Sequence, residues 1–274
     1  MNIIDEIKRQ LGDVEVIEAT KVQNNGNILR GYSIRKAGDM ISPILYVAES
    51  WSDEMKIRSV VERYRNNDDI ARRQAIDAEV TELFSSAENV YDRVYPCLVD
   101  AEKNSEFLQD KVWTPYFSLA VIFKCYISCG AITITKDTAQ KLKLSTDILY
   151  EKAVENIGRD YKTALLSDIV PQPYPQDGPT LRILTNSKFY YGAAAILSNK
   201  AMEALHDEMG TDEIYMIFSS VHEIIAAPVY GGNTLNTDKI KEMVSTINST
   251  VVNADEVLTD RIYIHRANGQ IKEV

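Results

Sequence analysis

A chain of 274 residues with 45% hydrophobic and 26% charged residues has the makeup of an ordered globule, long enough for one large core or two smaller ones. Twelve glycines and eight prolines are too few for a repetitive or linker-rich chain. Forty acidic against thirty basic residues give a formal charge of −10, a field that repels phosphate backbones and anionic lipid, so neither direct nucleic-acid binding nor membrane association is expected.

The N-terminal MNIIDEIKRQLGD sets acidic residues among its apolar ones, unlike a secretory signal, and no run of about 18 apolar residues follows. Three cysteines, an odd number, form no disulfide framework and suit a reducing compartment, so a cytoplasmic location is expected. Ile3, Ile4, Ile7 and Leu11 recur at helical spacing and predict an amphipathic helix over residues 2–11. Strands are predicted from Val14 to Val22 and from Ile28 to Arg35, around Asn24-Asn25-Gly26-Asn27, where Asn25-Gly26 supplies the positive φ of a tight hairpin. A third strand runs from Ile44 to Val47 after Pro43. Ser52, Asp53 and Glu54 suit the start of a helix whose stripe is Ile57, Val60, Val61 and Tyr64. The polar run Arg65 to Asp69 interrupts it, and a second helix follows from Ile70 to Phe84 with Ile76, Val80, Leu83 and Phe84 as its apolar face.

A strand is predicted from Arg93 to Val99, confined by Pro96 to an edge or a bulge because proline gives the ladder no N–H. Leu119 to Ile127 and Ala131 to Thr135 form two more strands around Ser128-Cys129-Gly130, and helices follow from Asp137 to Leu142 and from Thr146 to Ile157, with Gly158 as a stop. The stretch 171–179 is the densest in proline and glycine and reads as a linker. It puts a soft boundary near residue 170, between an N-terminal and central α+β region (1–170) and a C-terminal module (180–274), unless both close into one compact unit. Leu181 to Pro228 reads as hairpin, helix, hairpin: a turn at Thr185 to Lys188, a second at Ser219 to Glu223, and between them a helix capped by Ser198, striped by Met202, Leu205 and Met209 and stopped by Gly210. A helix from Asp238 to Ile247 and a strand from Arg261 to His265 end the chain. The fold class is α+β, with mixed or antiparallel sheets and packed helices around this ββαββ module.

The segments NNGNILRGYSIRKAGDMISPILYV, WTPYFSLAVIFKCYI, ILYEKAVENI, LTNSKFYYGAAAIL, SSVHEIIAAP and ADEVLTDRIYIHR, in that order and at that spacing, resemble the bacterial domain-of-unknown-function family 5688, a relative of family 1444. The resemblance spans most of the chain. It implies a shared fold and a cytoplasmic bacterial setting, and it brings no reaction, ligand or catalytic residue with it. The 171–179 loop is longer and richer in proline than is usual in that family.

Ser219-Ser220-Val221-His222-Glu223 gathers a hydroxyl, an imidazole and a carboxylate in five residues. In an extended strand Ser220 and His222 share a face about 7 Å apart, beyond the ~2.6–3.2 Å of a nucleophile and its base, so the run reads as a turn whose polar groups satisfy backbone. Cys125 and Cys129 lack a second pair, and His206, His222 and His265 are far apart, so no metal is expected. His206, one turn after Met202, reads as a core-edge residue and His265 as a strand end. No phosphate-binding loop or dinucleotide fingerprint occurs, Gly231-Gly232 is a loop signal, and the fifteen tyrosines read as packing residues; no cofactor is expected. Asp207-Glu208 and Asp212-Glu213 read as solvated surface. These residues point to a non-enzymatic accessory or protein-binding factor whose partner presents a basic surface. A hydrolase using Ser219, Ser220, His222 and Glu223 is one alternative, and an acidic decoy for a basic nucleic-acid-binding protein is another.

Overall fold

A computed structural model describes residues 2–37, 42, 44–66, 70–169, 180–229, 237–250 and 252–274. Among them three antiparallel sheets carry packed helices, an α+β architecture. The first helix, α1 (Ile3–Leu11), starts where the Asn2 side chain accepts the Ile4 N–H at 3.0 Å. Strands β1 (Glu15–Val22) and β2 (Ile28–Arg35) form the expected hairpin, closed at Val22 opposite Ile28 by a turn in which Asn25 (φ 60°) and Gly26 (φ 71°) are left-handed. Strand β3 (Ile44–Tyr46) pairs with β2, and α2 (Asp53–Asn66) turns all four residues of its stripe inward. Ile7, Val16, Tyr32, Ile34, Leu45, Ile57, Val60, Val61 and Tyr64 make a core cluster of their own. Pro43, the linker stretch 171–179 and Gly231-Gly232 lie outside the described residues.

Helices α3 (Ile70–Leu83) and α4 (Ala87–Arg93) lead into the second sheet, in which β4 (Val94–Asp100) and β5 (Trp113–Tyr116) flank β6 (Leu119–Ile127), and β7 (Gly130–Thr133) also pairs with β6. Among the described residues strand β4 has β6 as its one strand neighbour, with Pro96 opposite Phe123, so the proline sits on an edge as its missing N–H requires. Two helices follow, α5 (Lys136–Leu142) and α6 (Thr146–Asp160). Gly158 does not stop α6, which runs through it to Asp160. A Cβ there would lie 2.6 Å from the Ser198 hydroxyl, so the glycine lets α6 approach the cap of a later helix.

The third sheet joins β8 (Tyr161–Leu165), β9 (Arg182–Asn186), β10 (Glu213–Ile217), β11 (Ile224–Pro228), β12 (Ile262–Arg266) and β13 (Ile271–Glu273) in the order β13-β12-β10-β11-β9-β8. Between β9 and β10 lies α8 (Asn199–Met209), capped by Ser198 and ended by Gly210 at φ 63°. A short helix α7 (Leu166–Ile169) follows β8, and α9 (Thr237–Thr250) precedes β12. One expectation is corrected: Gly192–Leu197 is a 3-10 helix, not the return strand of a hairpin. A Cβ at Gly192 would lie 2.2 Å from Thr185 Oγ1 and 2.7 Å from the His222 carbonyl oxygen, so the chain passes too close to its neighbours to run as a side-chain-bearing strand. Ala193, Ala194 and Ala195 then sit inside the largest core cluster, where small residues with little strand preference coil tightly. The partner of β9 is instead β8, Lys162 facing Thr185, so the pair ahead of α8 spans the linker stretch in sequence. No described helix is long and apolar enough to cross a membrane.

Candidate functional site

The link from β10 to β11 carries Ser219 to Glu223, with Ser219 and Ser220 buried. The loop ahead of β12 holds it from outside: Val221 N–H donates to the Glu256 carbonyl at 2.8 Å and Leu258 N–H to the Ser219 carbonyl at 3.0 Å. Ser220 Oγ accepts the backbone N–H of His222 at 3.0 Å, a local bond that tightens the turn. The imidazole faces elsewhere. His222 Nδ1 accepts the Tyr191 N–H at 3.1 Å and Nε2 lies 3.4 Å from Glu256 Oε1, which assigns the proton of the neutral ring to Nε2. Burial raises the Glu223 pKa, partly offset by His222 and a hydrogen bond from Ser220. Ser220, His222 and Glu223 are thus neighbours, but both ring nitrogens of His222 are directed at Tyr191 and Glu256 rather than at a serine hydroxyl.

Beside this turn the chain leaves β9 through a loop built on Asn186, whose side chain is wholly buried. Asn186 Oδ1 accepts the N–H groups of Lys188 (3.1 Å) and Tyr190 (3.3 Å), and Nδ2 donates to the Tyr190 carbonyl at 3.0 Å. Phe189 (φ 51°) and Tyr191 (φ 55°) are held left-handed, a conformation that costs a non-glycine residue about 1–2 kcal/mol. The loop presents Phe189 and Tyr190 to solvent, 50% and 43% exposed. Tyr190 stacks on His222 with ring centres 5.3 Å apart and meets Tyr191 edge-on at 4.5 Å, while the Tyr126 hydroxyl donates to the Tyr190 carbonyl at 2.8 Å. Burial pushes the Tyr190 and Tyr191 phenols up to about 12, so both are neutral donors at physiological pH.

Lysines ring this aromatic group. Lys124 Nζ stands 3.7 Å from the Tyr191 ring centre, Lys188 Nζ 5.3 Å from that of Tyr126, and Lys162 Nζ 5.9 Å from that of Phe189. On the other side of residues 253–257 the tip of the β1–β2 hairpin docks. Asn25 Nδ2 donates to the carbonyls of Ala254 (2.8 Å) and Val257 (2.7 Å), and Asn24 Nδ2 to that of Asp255 (2.8 Å). Buried Asn104 closes the clasp, accepting the Asn25 N–H at 2.9 Å and donating to Asn24 Oδ1 at 2.9 Å. One loop therefore receives the hairpin tip on one side and the His222 turn on the other.

The other histidines form a buried pair, with His206 Nε2 2.9 Å from His265 Nδ1 and His206 Nδ1 2.8 Å from the Thr211 carbonyl. They stand 59 positions from one another in sequence, and their contact exists only once α8 lies on β12. Cys97 and Cys125 are buried, with thiols pushed up to about 12, and Cys129 is exposed. Among the described residues no group of three His, Cys, Asp or Glu side chains is placed to hold a metal ion. A shallow groove of about 440 Å³ lies on the N-terminal sheet, lined by Glu18, Arg30, Tyr32, Glu49 and Lys56, away from the His222 turn.

A family model matches residues 1–267. The chain belongs to DUF5688, a family of unknown function. No curated protein and no solved structure matches it. Segments that carried the resemblance in sequence thus meet in DUF5688's fold: the NNGN tip and the SSVHE turn both bind the loop that opens with Ala254-Asp255-Glu256.

Proposed function

We propose that the chain is a non-enzymatic, protein-binding accessory factor of the cytoplasm whose contact surface is centred on the loop of residues 187–191. The observation that carries the reading is a pair of half-exposed aromatic residues on a loop that a buried asparagine pins in left-handed geometry. Such a loop has already met its ordering cost before a partner arrives, and rigid exposed aromatics are the residues that most often anchor interfaces. The unpaired cysteines support the reducing compartment.

In cells, a photoreactive phenylalanine analogue at position 189 of the full chain is expected to give a discrete crosslinked product that the same analogue at Ile148, 41% exposed on α6, does not give. Equal crosslinking at both positions would sink the reading. One observation favours a hydrolase instead, the burial-raised carboxyl of Glu223 next to an imidazole. A hydrolytic activity of the purified chain that His222→Ala abolishes without changing thermal stability would establish that alternative.

A further inference from the structure

Resting on the loop 187–191 as contact surface, we infer that the partner segment docking there is acidic, opposite to what the charge of the whole chain suggests. Lys124, Lys162 and Lys188 each lie within 6 Å of an aromatic ring of this surface. Among the described residues no carboxylate lies within 4.0 Å of any of these three ammonium groups. In a chain with ten more acidic than basic residues, three lysines gathered on one aromatic loop, none of them paired with a carboxylate, concentrate positive charge locally. Of the carboxylates around the site, Glu256 is turned to His222 and Glu208 on the neighbouring helix is held by Arg182 and Thr163, while Asp160, Glu223 and Asp255 pair with none of the three ammonium groups. Phe189 and Tyr190 supply apolar area between them, so the surface fits a short segment that alternates carboxylates with an apolar or aromatic anchor.

The sign of the field sorts the candidate partners. A basic segment would meet Lys124, Lys162 and Lys188 at close range, and like charges brought together at an interface oppose binding. A nucleic acid would satisfy the lysines, but its charged backbone runs on past the patch over a surface with a net charge of −10, while a short acidic segment ends where the lysines do. The acidic protein segment is therefore the occupant that the local charges and the global charge both allow.

The test is selection of random twelve-residue peptides on the full chain, in parallel with a full-length Phe189→Ser/Tyr190→Ser variant and a full-length Lys162→Glu/Lys188→Glu variant, each first confirmed to have the wild-type thermal midpoint. Peptides retained by the wild type and lost on the aromatic variant are expected to be enriched in Asp and Glu, and to bind the charge-reversed variant at least about fivefold more weakly at 0.15 M salt, a loss that shrinks as salt rises. Loop-dependent peptides that are basic or uncharged would overturn the acidic partner and leave the contact surface standing. Peptides whose binding ignores the aromatic variant would overturn the contact surface itself. A twelve-nucleotide single strand that binds more tightly than the selected peptides, and loses affinity on both variants, would replace the protein partner with nucleic acid.

Discussion

Asn104 is 1% exposed and serves several partners at once: its Oδ1 takes the Asn25 N–H, and its Nδ2 reaches Asn24 Oδ1 and the Asp100 carbonyl at 2.8 Å. Asn104→Ala would strand these groups where water is scarce, so a loss of roughly 2–3 kcal/mol is expected, read as a lower urea midpoint at unchanged slope. Gly192→Ala should also be damaging. Its methyl would fall on Thr185 Oγ1 and 2.6 Å from the Asn186 backbone nitrogen, and backbone has little room to give, so about 1–3 kcal/mol is expected from overpacking. Gly158→Ala meets only the Ser198 side chain and should cost about 1 kcal/mol, the worth of a disturbed helix cap. At this scale sequence identified residue types better than their partners. Asn25-Gly26 declared a turn, because positive φ is a local demand, yet nothing local says that the same asparagine amides serve a loop more than 220 positions away. Gly158 was misread for a similar reason: a glycine late in a helix has the look of a stop, and only the packed Ser198 reveals its use.

Among the elements, α8 was the most legible, since its cap, stripe and stop are all local signals, and the structure ends it at Gly210 as expected. What holds it to β12 was not legible. His206 Nδ1–H donates to the Thr211 carbonyl, leaving Nε2 to accept His265 Nδ1–H, so a second charge on the buried pair would set two N–H donors against each other. Burial, and secondarily His206, moves the His265 pKa from 6.5 down to about 4. The unfolded chain then binds more protons than the folded one between these values. The stability that depends on neutral His265 is fully present above pH 6.5 and is lost as pH falls toward 4, by up to about 3 kcal/mol. His265→Asn keeps a donor near the Nδ1 position and removes the titration, so its urea midpoint should fall less than the wild type's between pH 7.5 and 4.5; an unchanged fall would count against the pair as the cause. The return strand expected after Asn186 failed for an elemental reason too. The run AAAIL is apolar enough for a strand, but periodicity cannot separate a buried strand from a buried coil, and the close approach at Gly192 decided it.

At the scale of the molecule, the hairpins β1–β2, β6–β7 and β10–β11 were legible because their partners are adjacent, whereas the hairpin expected after β9 does not form and the sheet that assembles β8 to β13 was missed, its neighbours being set by packing rather than chain order. The sequence also left unsaid that the N-terminal unit keeps its own apolar cluster, distinct from the large core and from the two smaller clusters that share its sheets. Two separate cores unfold together only if something couples them, and the asparagine clasp between the hairpin tip, Asn104 and residues 253–257 joins the two. The two tryptophans divide accordingly, Trp51 just ahead of α2 and Trp113 in β5. Single-tryptophan chains, Trp113→Phe to follow the N-terminal unit and Trp51→Phe to follow the main body, are expected to unfold in urea at the same midpoint. Adding Asn24→Ala, Asn25→Ala and Asn104→Ala removes the side-chain hydrogen bonds of the clasp while leaving both apolar clusters intact, and the two midpoints should then separate, with the Trp51 signal lost first because the smaller unit buries less surface per residue. Coincident midpoints in the clasp variant would show that the N-terminal unit is coupled through some other contact.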